Sequence, residues 1–322
     1  MSMTKSNFTL SQKELIKKFN QMLDKGDMSF EKMDCLCGYA KFIEIAKYDR
    51  FGFPQRTVVC KKCGLMMSNP RLTDNSYKLF YSKDIYRTIY QGKNYLELAK
   101  DRFNNDHNKY LFNDLSPALK GNKDLNILEF GCGGGWNLIH FSKAGYKVIG
   151  YDYSPSLIQT GRTHGLDLRE GTIKDIEGEY DIIILNHVIE HFTDFFGSMK
   201  NLLKHLKPEG LMYIGVPNID NYGLGQLQNA HTYYFTPRTF KYFMSRCGLN
   251  TIKFGVAQKI HMYGIFDLGS PSTDISDLET EPKRIMKRVR KAQIKEGIGK
   301  ILGKIGVNEF IKSALRMFSP KK

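Results

Sequence analysis

Residues 127–138 read Ile127-Leu-Glu-Phe-Gly-Cys-Gly-Gly-Gly-Trp-Asn-Leu138, and a second apolar run, Tyr146–Tyr151, stops at Asp152. An apolar strand that breaks into a glycine-rich turn before a helix brings backbone N–H groups close to a ligand, because glycine has no Cβ to hold it away. The carboxylate closing the second strand is then placed to grip ribose hydroxyls. Dinucleotide-binding turns follow G-x-G-x-x-G, whereas here Gly131, Gly133, Gly134 and Gly135 are followed by Trp136, so the sixth position fails. Glu129 adds a negative charge that repels a pyrophosphate and suits a cationic ligand.

On these residues the chain resembles the class I S-adenosylmethionine-dependent methyltransferases, whose first motif is E-x-G-x-G-x-G and here spans Glu129, Gly131, Gly133 and Gly135. The resemblance implies a ribose-binding role for Asp152, with Tyr153 beside it. It also implies that Asp175 and Ile176, in Gly171-Thr-Ile-Lys-Asp175-Ile176, hold the adenine. The run Tyr180-Asp-Ile-Ile-Ile-Leu-Asn-His-Val-Ile-Glu-His191 reads as a buried parallel strand ending in polar residues. Ligands of open α/β sheets lie beyond the carboxyl ends of strands, so Asn186 and His187 are expected at the cofactor crevice. Leu202–Gly210 reads as a helix and a Pro/Gly turn, and Leu211–Val216 as the next strand. The implied fold is α/β, a doubly wound, mostly parallel sheet, over roughly residues 110–255.

Working outward, 322 residues allow this core plus appendages, and 41% hydrophobic with 25% charged residues indicates a globular chain. Met1–Phe19 lacks the apolar stretch of a signal peptide, and no apolar run approaches the ~20 residues of a membrane span, so the expected location is cytoplasmic. Six cysteines in a reducing compartment favour metal binding or free thiols over disulfides. Cys35-Leu-Cys37-Gly38 and Cys60-Lys-Lys-Cys63-Gly64 form two knuckles flanking the strand-like Thr57-Val-Val, a pattern expected to hold structural zinc, with unrelated buried thiols as the alternative. The first knuckle has one residue between its cysteines where two are usual, which leaves Cys35 open as a ligand. Cys132 and Cys247 read as small packing residues. Cys60–Arg71 resembles the zinc-binding segment ahead of the methyltransferase domain in enzymes that modify sugars and surface polysaccharides. Tyr77, Tyr81, Tyr86 and Tyr90 follow at near-helical spacing and read as a core-facing stripe or as a lid over an acceptor.

Methyl transfer to a hydroxyl benefits from a base, and histidine titrates near the operating pH. His191 or His231 is the expected base, with Glu190 orienting a histidine; the alternative is that these groups cap a helix and satisfy buried polar atoms. His187-Val-Ile-Glu190-His191 with the distant His231 is also similar to the E-x-x-E-H arrangement that binds a divalent ion in small-RNA and ubiquinone-pathway O-methyltransferases. Here His187 replaces the first Glu, which weakens the case for magnesium.

Net charge is +15, and residues 283–322 hold thirteen Lys/Arg against Glu296 and Glu309, so this tail carries most of the excess. Its apolar residues recur at helical intervals, as in a basic amphipathic helix that meets a membrane surface or a partner, or docks on its own domain. The expected organisation is a helical segment (1–30), a zinc module (31–72), a helical lid or linker (73–110), a methyltransferase domain (111–270), and an acidic linker with the basic tail (271–322). The implied activity is methylation of a sugar, nucleotide-sugar or surface glycan, near the inner face of a membrane. The competing reading is an RNA modifier or binder that holds phosphates through the zinc module and tail.

Overall fold

The computed structural model describes residues 9–82, 97, 101–103, 109–220, 227–257 and 260–304. In chain order the elements are α1 (Leu10–Asp24), β1 (Phe30–Glu31), β2 (Phe42–Tyr48), β3 (Pro54–Cys60), β4 (Met66–Ser68), β5 (Arg71–Leu72), α2 (Asp74–Ser82) and α3 (Lys109–Leu115). There follow β6 (Asn126–Phe130), α4 (Leu138–Lys143), β7 (Lys147–Asp152), α5 (Pro155–Arg162), β8 (Asp167–Glu170), β9 (Tyr180–Asn186) and α6 (Phe195–Leu203). The remainder is β10 (Leu206–Pro217), β11 (Tyr233–Tyr234), α7 (Pro237–Arg246), β12 (Leu249–Ala257), β13 (His261–Leu268) and α8 (Glu281–Lys304).

The central sheet has the order β12-β13-β10-β9-β6-β7-β8. The pairs from β8 to β10 are parallel, and β13 runs antiparallel to both of its neighbours. Helices on both faces explain why Ile182–Leu185 of β9 is apolar at every position and buried throughout. The expected doubly wound sheet is therefore present. One local expectation fails. Residues 206–210 do not form a helix end and turn; they belong to β10, which rejoins β9 through a register shift between Leu206 and Leu211 around Pro208 and Gly210.

A second, antiparallel sheet has the order β11-β4-β3-β2 and takes its last strand from residues 233–234, far along the chain. Ser68 fixes that junction: its N–H donates to the Thr232 carbonyl at 2.9 Å and its hydroxyl to the His231 carbonyl at 2.8 Å. Val58, Leu65 and Met67 share one apolar cluster with Leu185, Phe195, Tyr233 and Phe235, so the cysteine-bearing sheet and the central sheet are packed together. Phe19, Phe53 and Phe80 seat α1 and α2 against this sheet with edge-to-face rings. Each is fully buried, worth roughly 2 kcal/mol of transfer free energy.

The acid-rich stretch read as a linker ends in an anchor. Leu278 and Glu281 are fully buried, and Glu281 accepts a 2.6 Å hydrogen bond from Thr236 and pairs with Arg284 at 2.5 Å. Gly64 lies so close that a Cβ there would sit 2.8 Å from the Glu281 side chain. The apolar side of α8 then packs inward, with Ile285 and Val289 against Ile45, Val59, Met66 and Tyr234. Among the described residues, no helix is long and apolar enough to cross a membrane.

Candidate functional site

The glycine turn between β6 and α4 depends on backbone freedom at alternate residues: Gly131, Gly133 and Gly135 have φ of +72°, +56° and +79°. A side chain at Gly131 would strike Val188, and one at Gly133 would strike the Trp136 indole, so both approaches are close. Asp152, at the end of β7, is buried and ties two loops together. Its Oδ2 accepts from the Gly133 N–H at 2.9 Å and its Oδ1 from the Ser154 N–H at 2.8 Å. Tyr153 beside it is 53% exposed, with its ring edge-on to Tyr81 of α2. Asp175 is solvent-facing and closes a capping box on Thr172, whose backbone N–H and hydroxyl hold the carboxyl below its usual range; Ile176 next to it is buried.

Glu129 is the most perturbed acid of this region. It is fully enclosed at the base of the turn, with Oε1 accepting from the Asn137 amide at 2.5 Å. Its Oε2 is buried with no hydrogen-bond partner among the described residues. Burial pushes its carboxyl up to about 8; the Asn137 bond opposes this, and the Asp152 charge adds to it.

A second constellation forms where β9 ends. The Asn186 amide donates toward the Tyr110 hydroxyl, which opposes the rise that burial gives that phenol. His187 adopts φ +60°, unusual for a side-chain-bearing residue, and its Nδ1 lies 3.2 Å from Glu190 Oε1. Glu190 is completely buried. Burial alone raises its pKa, but the His187 bond and the His187 and His191 charges outweigh that, and the net shift is downward. His191 Nδ1 lies 2.8 Å from the Ala230 carbonyl and 3.1 Å from the Tyr81 hydroxyl. The carbonyl only accepts, so the neutral ring keeps its proton on Nδ1 and its lone pair on Nε2. Burial holds His191 below the usual imidazole range.

His231 is buried, with Nε2 hydrogen-bonded to the Gln228 amide and Nδ1 without a partner among the described residues. Burial lowers its pKa well below the usual value. Its ring stands edge-on to His191 at 4.8 Å between centroids. One ligand atom from each of Glu190, His191 and His231 falls within 4.8 Å of the others.

All three expected residues therefore meet, and α2 contributes to the meeting through Tyr81. Tyr77 takes the bland role expected of a core tyrosine, buried with its hydroxyl donating to the Asn229 carbonyl at 3.3 Å. Tyr86 and Tyr90 lie outside the described residues. His261, which sequence reading passed over, packs its ring 4.6 Å from His187. No motif surrounds it, and only the insertion of β13 beside β10 brings it to this edge.

The four knuckle cysteines converge. Cys35 and Cys63 sulfurs lie 3.5 Å apart, Cys37 and Cys60 sulfurs 3.6 Å, and all four fall within 4.8 Å of one another. Zn–S bonds of about 2.3 Å set tetrahedral sulfur separations near ~3.8 Å, so the group has the right size for zinc. Lys62 and Leu65 N–H groups point at Cys60 and Cys63 sulfurs at 3.4 and 3.5 Å, as in a knuckle that holds thiolates. Cys35 sits inside the set despite the short spacing of its pair. Cys132 is buried behind the glycine turn and Cys247 caps α7.

Residues 101–253 match a family model described as a methyltransferase domain. The central sheet has the Rossmann-like methyltransferase fold. The chain is similar to a ubiquinone biosynthesis O-methyltransferase of Rickettsia akari, at 33% identity over 102 residues, covering 29% of this chain and 41% of the relative. A protein of the same description from a Chelativorans species is 34% identical over 110 residues, covering 31% of this chain and 44% of the relative. The chain thus spans less than half the length of these two relatives. Among solved structures, the Burkholderia thailandensis 1,6-didemethyltoxoflavin-N1-methyltransferase, with S-adenosylhomocysteine bound, aligns at TM-score 0.49 and 14% identity, covering 64% of this chain and 96% of that one.

Proposed function

We propose that this protein transfers the methyl group of S-adenosylmethionine to a hydroxyl of a sugar, a nucleotide-linked sugar or a surface glycan. The observation that carries the cofactor assignment is Glu129: a buried carboxyl with one oxygen that has no partner among the described residues, beneath a turn held open by three left-handed glycines. Such a group is costly until a cation reaches it, and the cofactor's ammonium and sulfonium are cations. In this reading Gly131, Gly133 and Gly135 admit the nucleoside, Asp152 and Tyr153 flank its ribose, Asp175 and Ile176 meet the adenine, and Asn186 and His187 line the crevice. When bound, S-adenosylmethionine supplies a methyl group already activated toward displacement.

What remains for the chain is alignment and proton removal. His191 is the base: the Ala230 carbonyl fixes its tautomer, leaving Nε2 to take the hydroxyl proton as the oxygen–methyl bond forms. Glu190 holds His187 beside it, and His231 packs against the His191 ring. Oxygen as the methylated atom agrees with the O-methyltransferase description of the similar proteins. The sugar acceptor rests on the likeness of Cys60–Arg71 to the zinc segments of sugar-modifying enzymes. The cysteine group, in this reading, holds a structural zinc ion.

A second reading is favoured by Glu190 Oε2 and His231 Nδ1, buried atoms with no partner among the described residues. Glu190, His191 and His231 would then hold a divalent ion that polarises the acceptor oxygen, and two imidazoles suit a transition metal better than magnesium. Metal analysis separates the two: one zinc per chain supports the base, and a second equivalent supports the ion.

Calorimetry with S-adenosylmethionine and S-adenosylhomocysteine tests the cofactor, and the expected result is saturable binding of both. Labelled methyl donor incubated with nucleotide sugars and glycan extracts, followed by mass spectrometry, tests the acceptor. Absence of binding heat for both ligands overturns the proposal.

A further inference from the structure

We infer that the outer face of α8 docks the protein on an anionic lipid surface, independently of the chemistry proposed above. The inner side of this helix is already committed, because Glu281, Ile285 and Val289 are buried against the rest of the molecule. Arg284 and Arg288 are also occupied, pairing with Asp220. Lys283, Lys287, Arg290 and Lys291 remain exposed. At about 100° per residue they share one face of the helix, roughly 100° wide, opposite Ile285 and Val289. No acidic residue occurs between Pro282 and Lys295 to break the field of that face.

The same face continues into an apolar residue. Ile294, three residues beyond Lys291, is 62% exposed, and in the sequence Ile298 and Ile301 follow at spacings of four and three. Bases leading into an exposed isoleucine on one face match a lipid surface, which offers phosphate headgroups above an acyl boundary. A nucleic-acid backbone rewards the bases but gives an exposed isoleucine nothing to enter. Because the apolar side of the helix is packed inward, docking is mainly electrostatic and reversible by salt, with shallow entry of Ile294.

The test uses the full chain and vesicles of phosphatidylcholine with or without phosphatidylglycerol, read by flotation. Expected is binding to the anionic vesicles only, lost at high salt, and weakened about fivefold for each base removed in K287Q, R290Q and K291Q. Ile294→Ser is expected to weaken vesicle binding further. None of these positions is buried, so thermal melting stays at the parent value and reports that the fold is intact. The inference is overturned if anionic vesicles do not bind, or if K287Q/R290Q/K291Q floats like the parent. It is also overturned if a structured RNA binds more tightly than the vesicles at equal salt and is indifferent to Ile294→Ser.

Discussion

Glu129 is where a single side chain says most about the ligand. Its carboxyl titrates at about 8 in the folded chain against an ordinary 4.5, so folding favours the protonated form. The stability this contributes is present in full below 4.5 and is lost as pH rises to about 8. A bound cation favours the ionised form instead. Affinity for S-adenosylmethionine should therefore tighten as pH climbs toward about 8, by up to about tenfold per pH unit, with proton release seen by calorimetry in two buffers. In Glu129→Gln the affinity falls and its pH dependence flattens; a steep dependence surviving in that variant would assign the proton elsewhere. His191 makes a separate claim, since it acts on the acceptor rather than the cofactor. His191→Ala should lose about 10²- to 10⁴-fold in kcat while the calorimetric Kd for the cofactor stays at the parent value. Glu129, the glycines and Asp152 were legible in sequence because strand, turn and acid follow one another locally. Asp152's work in tying the Gly133 and Ser154 loops was not, since it depends on where two loops meet. His261 was invisible for the same reason, as its neighbour His187 lies in another strand's turn.

The elements show how a periodic pattern can be read while its partner stays hidden. The recurrence of Ile285 and Val289 reads as a helix, yet nothing in the tail says that this side would close over Ile45, Val59 and Met66. The acid-rich stretch before it reads as a linker because carboxylates usually face solvent. Glu281 is an exception because Thr236 and Arg284 satisfy it inside the protein. Gly64 reports on this docking directly. It adopts φ +76°, and a Cβ there would lie 2.8 Å from the Glu281 side chain and 3.0 Å from its backbone carbon. Gly64→Ala should therefore cost roughly 1–3 kcal/mol, through backbone strain and displacement of the first turn of α8. Denaturant melts measure this directly. Parent stability in Gly64→Ala would mean that α8 is not seated on the cysteine knuckle.

Across the whole molecule the cysteine-bearing module is joined to the candidate site. Strand β4 starts three residues after Cys63 and pairs with β11, and Ser68 holds the carbonyls of His231 and Thr232. The Thr232 N–H in turn donates to the Glu190 carbonyl at 2.8 Å. A path of backbone hydrogen bonds thus runs from the cysteine group to both histidine-bearing segments. In sequence the cysteine segment simply precedes the methyltransferase domain, and the pairing of residues 66–67 with 233–234 is a long-range contact that no local pattern encodes. With zinc held there as proposed, its removal should loosen the acceptor side and spare the cofactor side. Structural zinc contributes on the order of 10 kcal/mol in isolated zinc peptides, and here the shared apolar cluster retains part of the packing when the ion leaves. In Cys60→Ser, or after chelation, hydrogen exchange should accelerate across residues 54–68 and 231–235 while β6, β7 and β9 keep their protection. Cofactor affinity should change by less than about tenfold, whereas methyl transfer should collapse, since the His191–His231 packing loses its support. Unaltered exchange at 231–235 in protein shown to be metal-free would break this link. The cysteine group would then stabilise only its own sheet.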